Sequence, residues 1–201
     1  MAPQTVVYVI DDDASVRKSL ERLIRSVGLA VETFACARDF LALTPPDLPA
    51  CLLLDIEMPE ITGLELQEKL TALNRSIPIV FITGFGNVPK SVQAMKAGAF
   101  DFLEKPFETA TLLEVVDRAI NHDMQVRQQN HELAVIKKRS ESLTHRERDV
   151  FELVVAGMLN KQAAFQLGIT EKTIKVHRAR IMQKMGAQSL AELVRLAERL
   201  K

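Results

Sequence analysis

The 201-residue sequence predicts an α/β domain built on a five-stranded parallel sheet, followed by a smaller all-α domain. Two patterns carry this reading. Through the first 120 residues, short apolar runs rich in branched side chains alternate with amphipathic stretches, as parallel strands joined by crossover helices require. From Leu143 onward the strand signals stop, and helix-start and helix-stop residues crowd together.

The predicted strands are 6–10, a weaker 30–34, 51–54, 77–82 and 100–103. Between them, 15–26 places Val16, Leu20, Leu23, Ile24 and Val27 on one helical face, and 63–73 does the same with Leu64, Leu66 and Leu70. Segment 88–97 stops at Gly98 as a helix C-cap would, and 109–120 supplies a further helix. Five βα units of this length predict a doubly wound, flavodoxin-like sheet of strand order 2-1-3-4-5. Residues 121–140 are polar and contain no Gly or Pro, so the last helix is expected to run on as a helical linker. The expected division is 1–121, a linker at 122–140, and 141–201.

Zero net charge conceals an asymmetry: 1–121 carries −6, 122–139 carries +2 and 140–201 carries +4. An acidic front and a basic tail point to different partners. The only cysteines, Cys36 and Cys51, sit in apolar or strand-like contexts and read as buried small hydrophobes in a reducing compartment. No apolar stretch approaches the roughly 20 residues of a membrane span, and no leader pattern opens the chain. A soluble cytoplasmic protein without a membrane partner is expected.

In an open parallel sheet, ligands bind at the carboxyl ends of the strands. The residues there are Asp11, Asp12 and Asp13 after the first strand, Asp55 after the third, Thr83 after the fourth, and Lys105-Pro106 after the fifth. Clustered hard oxygens suit Mg2+, and a carboxylate is a competent nucleophile toward phosphorus. Each residue also has an ordinary reading: helix cap, turn threonine, solvated loop lysine. Four such coincidences in the right order argue against that reading. The Lys105-Pro106 bond is a candidate for the cis form.

Ile10-Asp-Asp-Asp13, Leu54-Asp-Ile-Glu-Met-Pro59, Ile82-Thr-Gly84 and Phe102-Leu-Glu-Lys-Pro106 resemble the receiver domain of bacterial response regulators, over about 5–121. The resemblance implies that Asp55 is the phosphoacceptor and that Asp11, Asp12, Asp55 and the Glu57 carbonyl hold Mg2+, with Asp13 a bystander. Lys105 and Thr83 would then contact phosphoryl oxygens, and Gly84 would leave room for their approach. Movement of Thr83 would admit Phe102, at the position of the family's switch aromatic; the family often has Tyr there. Glu57 and Phe85 would flank the phosphate and tune its lifetime. No general acid is evident beside Asp55, so turnover of external substrates is not expected and the chain does not read as an enzyme.

In the tail, Thr144/Glu147 and Ser189/Glu192 have capping-box spacing, and helices are expected to end at Gly157, Gly168 and about Met185. Two helices joined by the short turn Gly168-Ile-Thr170 have helix-turn-helix geometry, whose second helix enters the major groove. At helical spacing Lys172, Lys175, Val176 and Arg178 share one face, while Ile174 and Ile181 take the other. Lys172, Lys175 and Arg178 suit phosphates or base edges, and Val176 suits a thymine methyl. Lys161, Thr170 and Thr173 are candidate phosphate donors. Charge alone would equally describe a solvated helix face.

Leu143-Thr-His-Arg-Glu147, Gly157-Met-Leu-Asn-Lys161 and Thr170-Glu-Lys-Thr-Ile-Lys-Val-His177 resemble the LuxR/NarL-type DNA-binding domain over nearly all of 140–201. His177 falls toward the packed side, and no Cys or His spacing supports zinc. Ala179 is shorter than the polar residue the family often places there. The last helix, with Leu190, Leu193 and Val194, resembles the family's dimerisation helix, ordinary core packing being its other reading. The two halves together resemble the FixJ subgroup. That implies a sensor histidine kinase acting on Asp55 and a homodimer formed through 88–96 and 100–107, with Val92, Lys96 and Asp101 in contact. It also implies double-stranded promoter DNA and RNA polymerase as partners, in transcription activation.

Overall fold

The computed structural model describes residues 5–84 and 88–200, the side chains of Val88 and Pro89 excepted. Phe85, assigned above to the phosphate surroundings, lies outside the described residues. The chain divides into two compact units, Met1–Arg127 and Gln128–Lys201.

In the first unit the elements run β1 Val6–Ile10, α1 Ala14–Ser26, β2 Ala30–Phe34, α2 Ala37–Ala42, β3 Ala50–Asp55, α3 Gly63–Ala72, β4 Ile79–Thr83, α4 Val88–Lys96 and β5 Asp101–Glu104. Helix α5, Thr109–Glu141, continues past the division between the units. The sheet has the order β2-β1-β3-β4-β5, with every pair parallel. Alternation along the central strands sends Tyr8, Ile10, Leu52, Leu54 and Phe81 to one face against Phe40, Leu66 and Leu70. Val7, Val9, Leu53, Val80 and Ile82 go to the other, against Leu20, Ile24, Leu112 and Val116. Both faces are dry, which is why these strands read as unbroken apolar runs.

Three expectations are corrected. Strand β4 begins at Ile79 rather than residue 77: Pro78 has no N–H to give a ladder, and only its carbonyl takes part, accepting from the Leu52 amide at 2.9 Å. Helix α2 went unlocated in the sequence because six residues are too few for helical periodicity to repeat. Cys36, at the N-cap of α2 beside the edge strand β2, is half-exposed; only Cys51 is buried. Burial raises the Cys51 thiol pKa, with the Asp123 charge adding to the effect.

The start of β3 is anchored by buried Asp123 on α5, whose carboxylate accepts from the Ala50 amide at 2.8 Å and from Arg127 Nε at 2.7 Å. The loop that follows β3 closes tightly. The Gly63 amide donates to the Ile56 carbonyl at 3.0 Å, and a Cβ at residue 63 would stand 2.3 Å from the Asp55 carbonyl oxygen and 3.0 Å from the Phe81 ring. Gly63→Ala must therefore displace backbone next to Asp55. A loss of about 1–3 kcal/mol in the stability of the first unit, measured by urea titration of the Tyr8 signal, is the expected cost.

The second unit packs the end of α5 with α6 His145–Val155, α7 Asn160–Leu167, α8 Glu171–Met185 and α9 Leu190–Glu198 around Ile136, Leu143, Val150, Val154, Ile174, Ile181 and Met185. Thr144 and Glu147 form the reciprocal capping box, a device worth about 1 kcal/mol. Around α9 the box is one-sided: Ser189 accepts from the Glu192 amide, but the Glu192 carboxylate accepts from Gln188 instead. Leu193, read above as a dimer contact, is 1% exposed and belongs to the core, whereas Leu190 is exposed and Val194 half-buried.

Glu147 also accepts a 2.6 Å hydrogen bond from Lys184, whose ammonium reaches the Ser142 carbonyl as well. The Lys184 bond and the Thr144 amide pull the Glu147 carboxyl down to about 2. A carboxyl depressed in the folded state contributes stability that is complete above its unfolded value and lost as pH falls toward the folded one. Protection of the α6 and α8 amides against hydrogen exchange, corrected for the intrinsic rate at each pH, should accordingly fall as pH drops from about 4.5 toward 2. Glu147→Gln should flatten that dependence and cost about 1–3 kcal/mol at neutral pH. An unaltered acid profile in the variant would refute the assignment.

Candidate functional site

The carboxyl ends of β1, β3, β4 and β5 bring Asp11, Asp55, Thr83 and Lys105 to one rim of the sheet. Backbone bonds hold the rim in register: the Lys105 amide donates to the Thr83 carbonyl at 2.7 Å, and the Ile56 amide to that of Ile82 at 3.2 Å. The Lys105-Pro106 peptide is cis. Lys105 Nζ lies 2.8 Å from Asp11 Oδ2 and 2.8 Å from Asp55 Oδ1. The remaining carboxylate oxygens are held by main chain, Asp11 Oδ1 by the Asp13 amide at 2.8 Å and Asp55 Oδ2 by the Glu57 amide at 2.7 Å.

Asp11 and Asp55 are 2% and 7% exposed. Burial, set against the Lys105 ammonium and reinforced by the Asp11 charge, raises the Asp55 pKa. Burial also disfavours the charged form of Lys105, but its bonds to both carboxylates outweigh that and keep its pKa above the usual lysine value. Asp12 and Asp13 are exposed. Asp13 is the N-cap of α1, accepting from the Ser15 and Val16 amides, which lower its pKa. Among the described residues no three His, Cys, Asp or Glu side chains are gathered as a metal cage. Mg2+ keeps several of its waters and takes only one or two carboxylates, so the paired hard donors Asp11 and Asp55 suit it, with Asp12 adjacent in sequence.

Buried Thr83 turns its hydroxyl to the Gly84 carbonyl at 3.2 Å, and Phe102 is outward, 42% exposed. Between them lies a cavity of about 250 Å3, lined by Thr83, Ser91, Val92, Met95, Lys96, Phe102 and Glu104. Val92 and Lys96 are exposed on α4, and Asp101 is ion-paired with Arg118 at 3.3 Å. Two neighbours of the rim escaped the sequence reading. Lys90 pairs with the Glu57 carboxylate at 2.7 Å, and Arg17 donates to the Asp11 carbonyl at 2.6 Å. Both sit on helices, and no motif marks them.

In the second unit, Gly168 takes the left-handed conformation, φ 65°, that closes α7 and turns the chain into α8. Lys172, Lys175 and Val176 are exposed on α8, Lys161 is exposed on α7, and Ile174 and Ile181 are buried. Thr170 caps α8 through the Thr173 amide, and the two threonine hydroxyls lie 2.9 Å apart. Arg178 is half-buried and donates to Asn160 Oδ1 at 2.7 Å, so one of its nitrogens ties α8 to α7. His177 is half-buried, and its buried Nδ1 has no hydrogen-bond partner among the described residues.

Comparison with known proteins agrees with this geometry. Residues 7–117 match the response regulator receiver domain, and 141–197 match the bacterial regulatory proteins of the luxR family. Nodulation protein W of Bradyrhizobium diazoefficiens is 46% identical over 197 residues, 98% of this chain and 87% of that protein. The transcriptional regulatory protein FixJ of Rhizobium meliloti is 43% identical over 191 residues, 95% of this chain and 94% of FixJ. Among solved structures, the response regulator StyR superposes with TM-score 0.89 at 48% identity, covering 98% of this chain and 99% of StyR. A receiver match longer than half the chain, with relatives aligned almost end to end, establishes that this chain belongs to the FixJ-like response regulators, transcription factors that join a receiver to a LuxR-type DNA-binding domain.

Proposed function

We propose that a sensor histidine kinase phosphorylates Asp55 and that this modification controls how the LuxR-type domain engages promoter DNA. The observation that carries the reading is the Lys105 ammonium, shared at 2.8 Å between the buried carboxylates of Asp11 and Asp55. In this reading 1–121 is the receiver, 122–140 a helical linker and 141–201 the DNA-binding domain. Asp55 attacks the phosphorus of the kinase phosphohistidine, forming an aspartyl phosphate as the P–N bond breaks. Lys105 stays with the phosphoryl oxygens as their fixed counter-charge. Asp11, Asp12, Asp55 and the Glu57 carbonyl would hold Mg2+, which supplies neutralising charge at the phosphoryl oxygens when bound.

The Thr83 hydroxyl then leaves the Gly84 carbonyl for a phosphoryl oxygen. Phe102 fills the cavity of about 250 Å3 that already separates it from Thr83. Burying a ring that is 42% exposed supplies a hydrophobic bias toward the phosphorylated state. The altered α4–β5 face, with Val92, Lys96 and Asp101, pairs with a second copy, and Leu190 and Val194 support pairing of the DNA-binding domains. Two half-sites are thereby occupied, with RNA polymerase recruited for activation. Among the described residues no helix is long and apolar enough to cross a membrane, and the cytoplasm is where kinase, promoter and polymerase meet.

Beryllofluoride on the full-length chain should raise DNA affinity and produce a dimer by light scattering. Asp55→Asn should abolish both responses while leaving the fold intact; DNA affinity and mass unchanged with the site occupied would falsify the regulatory claim.

On the DNA, Lys161, Lys172, Lys175, Thr170 and Thr173 contact phosphates, Val176 meets a thymine methyl, and Arg178 uses the nitrogens that Asn160 leaves free. Lys172→Ala or Lys175→Ala, assayed by fluorescence anisotropy at several salt concentrations, should weaken binding to specific and random duplexes alike. Each should lower the salt slope by roughly one. A loss confined to the specific sequence would reassign that lysine to a base edge.

A further inference from the structure

We propose that Asn160 is a positioning residue for DNA binding: it holds the Arg178 guanidinium toward a phosphate of the DNA backbone and leaves the guanidinium charge intact. The inference rests on the reading of α8 as the DNA-contacting helix and deepens it, since residue type alone suits Arg178 equally to a phosphate or a base edge.

Asn160 is the first residue of α7, and Arg178 stands midway along α8. Arg178 Nη1 donates to Asn160 Oδ1 at 2.7 Å, and both residues are half-buried. An arginine free in solvent gives up much rotamer freedom when it binds; one already bonded and partly packed gives up less. In a helix-turn-helix the second helix enters the major groove while the first crosses the DNA backbone. A guanidinium tethered to the first residue of α7, next in sequence to exposed Lys161, is therefore held on the backbone side of α8 rather than over the groove floor. It lies at one margin of the face that Lys172 and Lys175 present.

The chemical nature of the tether matters as much as its place. Arg118, Arg127 and Arg199 are each paired with an acid, whereas no carboxylate among the described residues pairs with Arg178. Were the bond only a strut between α7 and α8, a carboxylate would serve better: it accepts more strongly from a guanidinium, and negative charge is favourable in the first turn of a helix. It would also cancel the charge that a phosphate requires. A neutral amide orients the guanidinium without neutralising it.

Fluorescence anisotropy on the full-length chain with beryllofluoride, at several salt concentrations, separates the two roles. Asn160→Asp keeps an acceptor for Arg178, so the thermal midpoint should hold or rise. Its affinity should nevertheless fall about tenfold or more on specific and random duplexes alike, with a salt slope lower by roughly one. Asn160→Ala frees the guanidinium and should weaken both duplexes about three- to tenfold. In an Arg178→Ala background, Asn160→Ala should change affinity by less than about twofold, and Asn160→Asp should lose the larger part of its effect. Equal losses in the two backgrounds, or wild-type affinity in Asn160→Asp, would reduce the bond to a strut and overturn the proposal. A loss in Arg178→Ala confined to the specific duplex would move Arg178 to a base edge and overturn the phosphate assignment. Wild-type affinity in Arg178→Ala would instead remove Arg178 from the DNA contacts, so that the underlying reading of this residue fails and not the tether alone.

Discussion

Two buried carboxylates facing one another would repel, and desolvation would penalise each. The Lys105 ammonium, 2.8 Å from both Asp11 and Asp55, makes that arrangement tolerable. It stands for the charge balance of the whole rim: Asp55 remains harder to ionise than an exposed aspartate, and Lys105 easier to keep charged than an exposed lysine. A phosphoryl group at Asp55, as proposed, would add negative charge where one fixed side-chain cation among the described residues answers the two carboxylates. A small covalent change there has the leverage to move neighbouring groups for this reason.

The sheet places that charge cluster. Parallel pairing in the order β2-β1-β3-β4-β5 sends every strand's carboxyl end the same way. Residues separated by as many as 94 positions, Asp11 and Lys105, thereby come into hydrogen-bond contact. Because both faces of the sheet are packed, the rim is the edge at which polar side chains can gather without breaking the core. The close approach at Gly63 extends the constraint to the β3–α3 loop, where a single methyl group would strike the Asp55 main chain.

The second unit solves a different problem, holding a short cationic helix surface still over a small core. Its polar bonds are spent on internal fixation: Glu147 to Lys184, Thr144 to Glu147 and Asn160 to Arg178. Lys161, Lys172 and Lys175 remain exposed, and they account for much of the basic excess of the tail. Phosphate contact by these lysines, as proposed, would gain from such division, since the helices that present them are already held in place.

Much of this was legible in one dimension. Apolar runs long enough to be strands, capping residues at Thr144, the turn at Gly168 and four motifs at strand ends pointed to the fold class and to the residues of the strand-end rim, because each is a local pattern that backbone geometry translates directly; the strand order followed from the fold class. Tertiary structure alone decided what depends on a neighbour from elsewhere in the chain. It buried Leu193 rather than leaving it for a partner, bound part of Arg178 to Asn160, left Cys36 half-exposed beside an edge strand, and buried the Tyr8 hydroxyl without a partner among the described residues. Periodicity reports which side of an element a side chain occupies; only packing determines what stands opposite it.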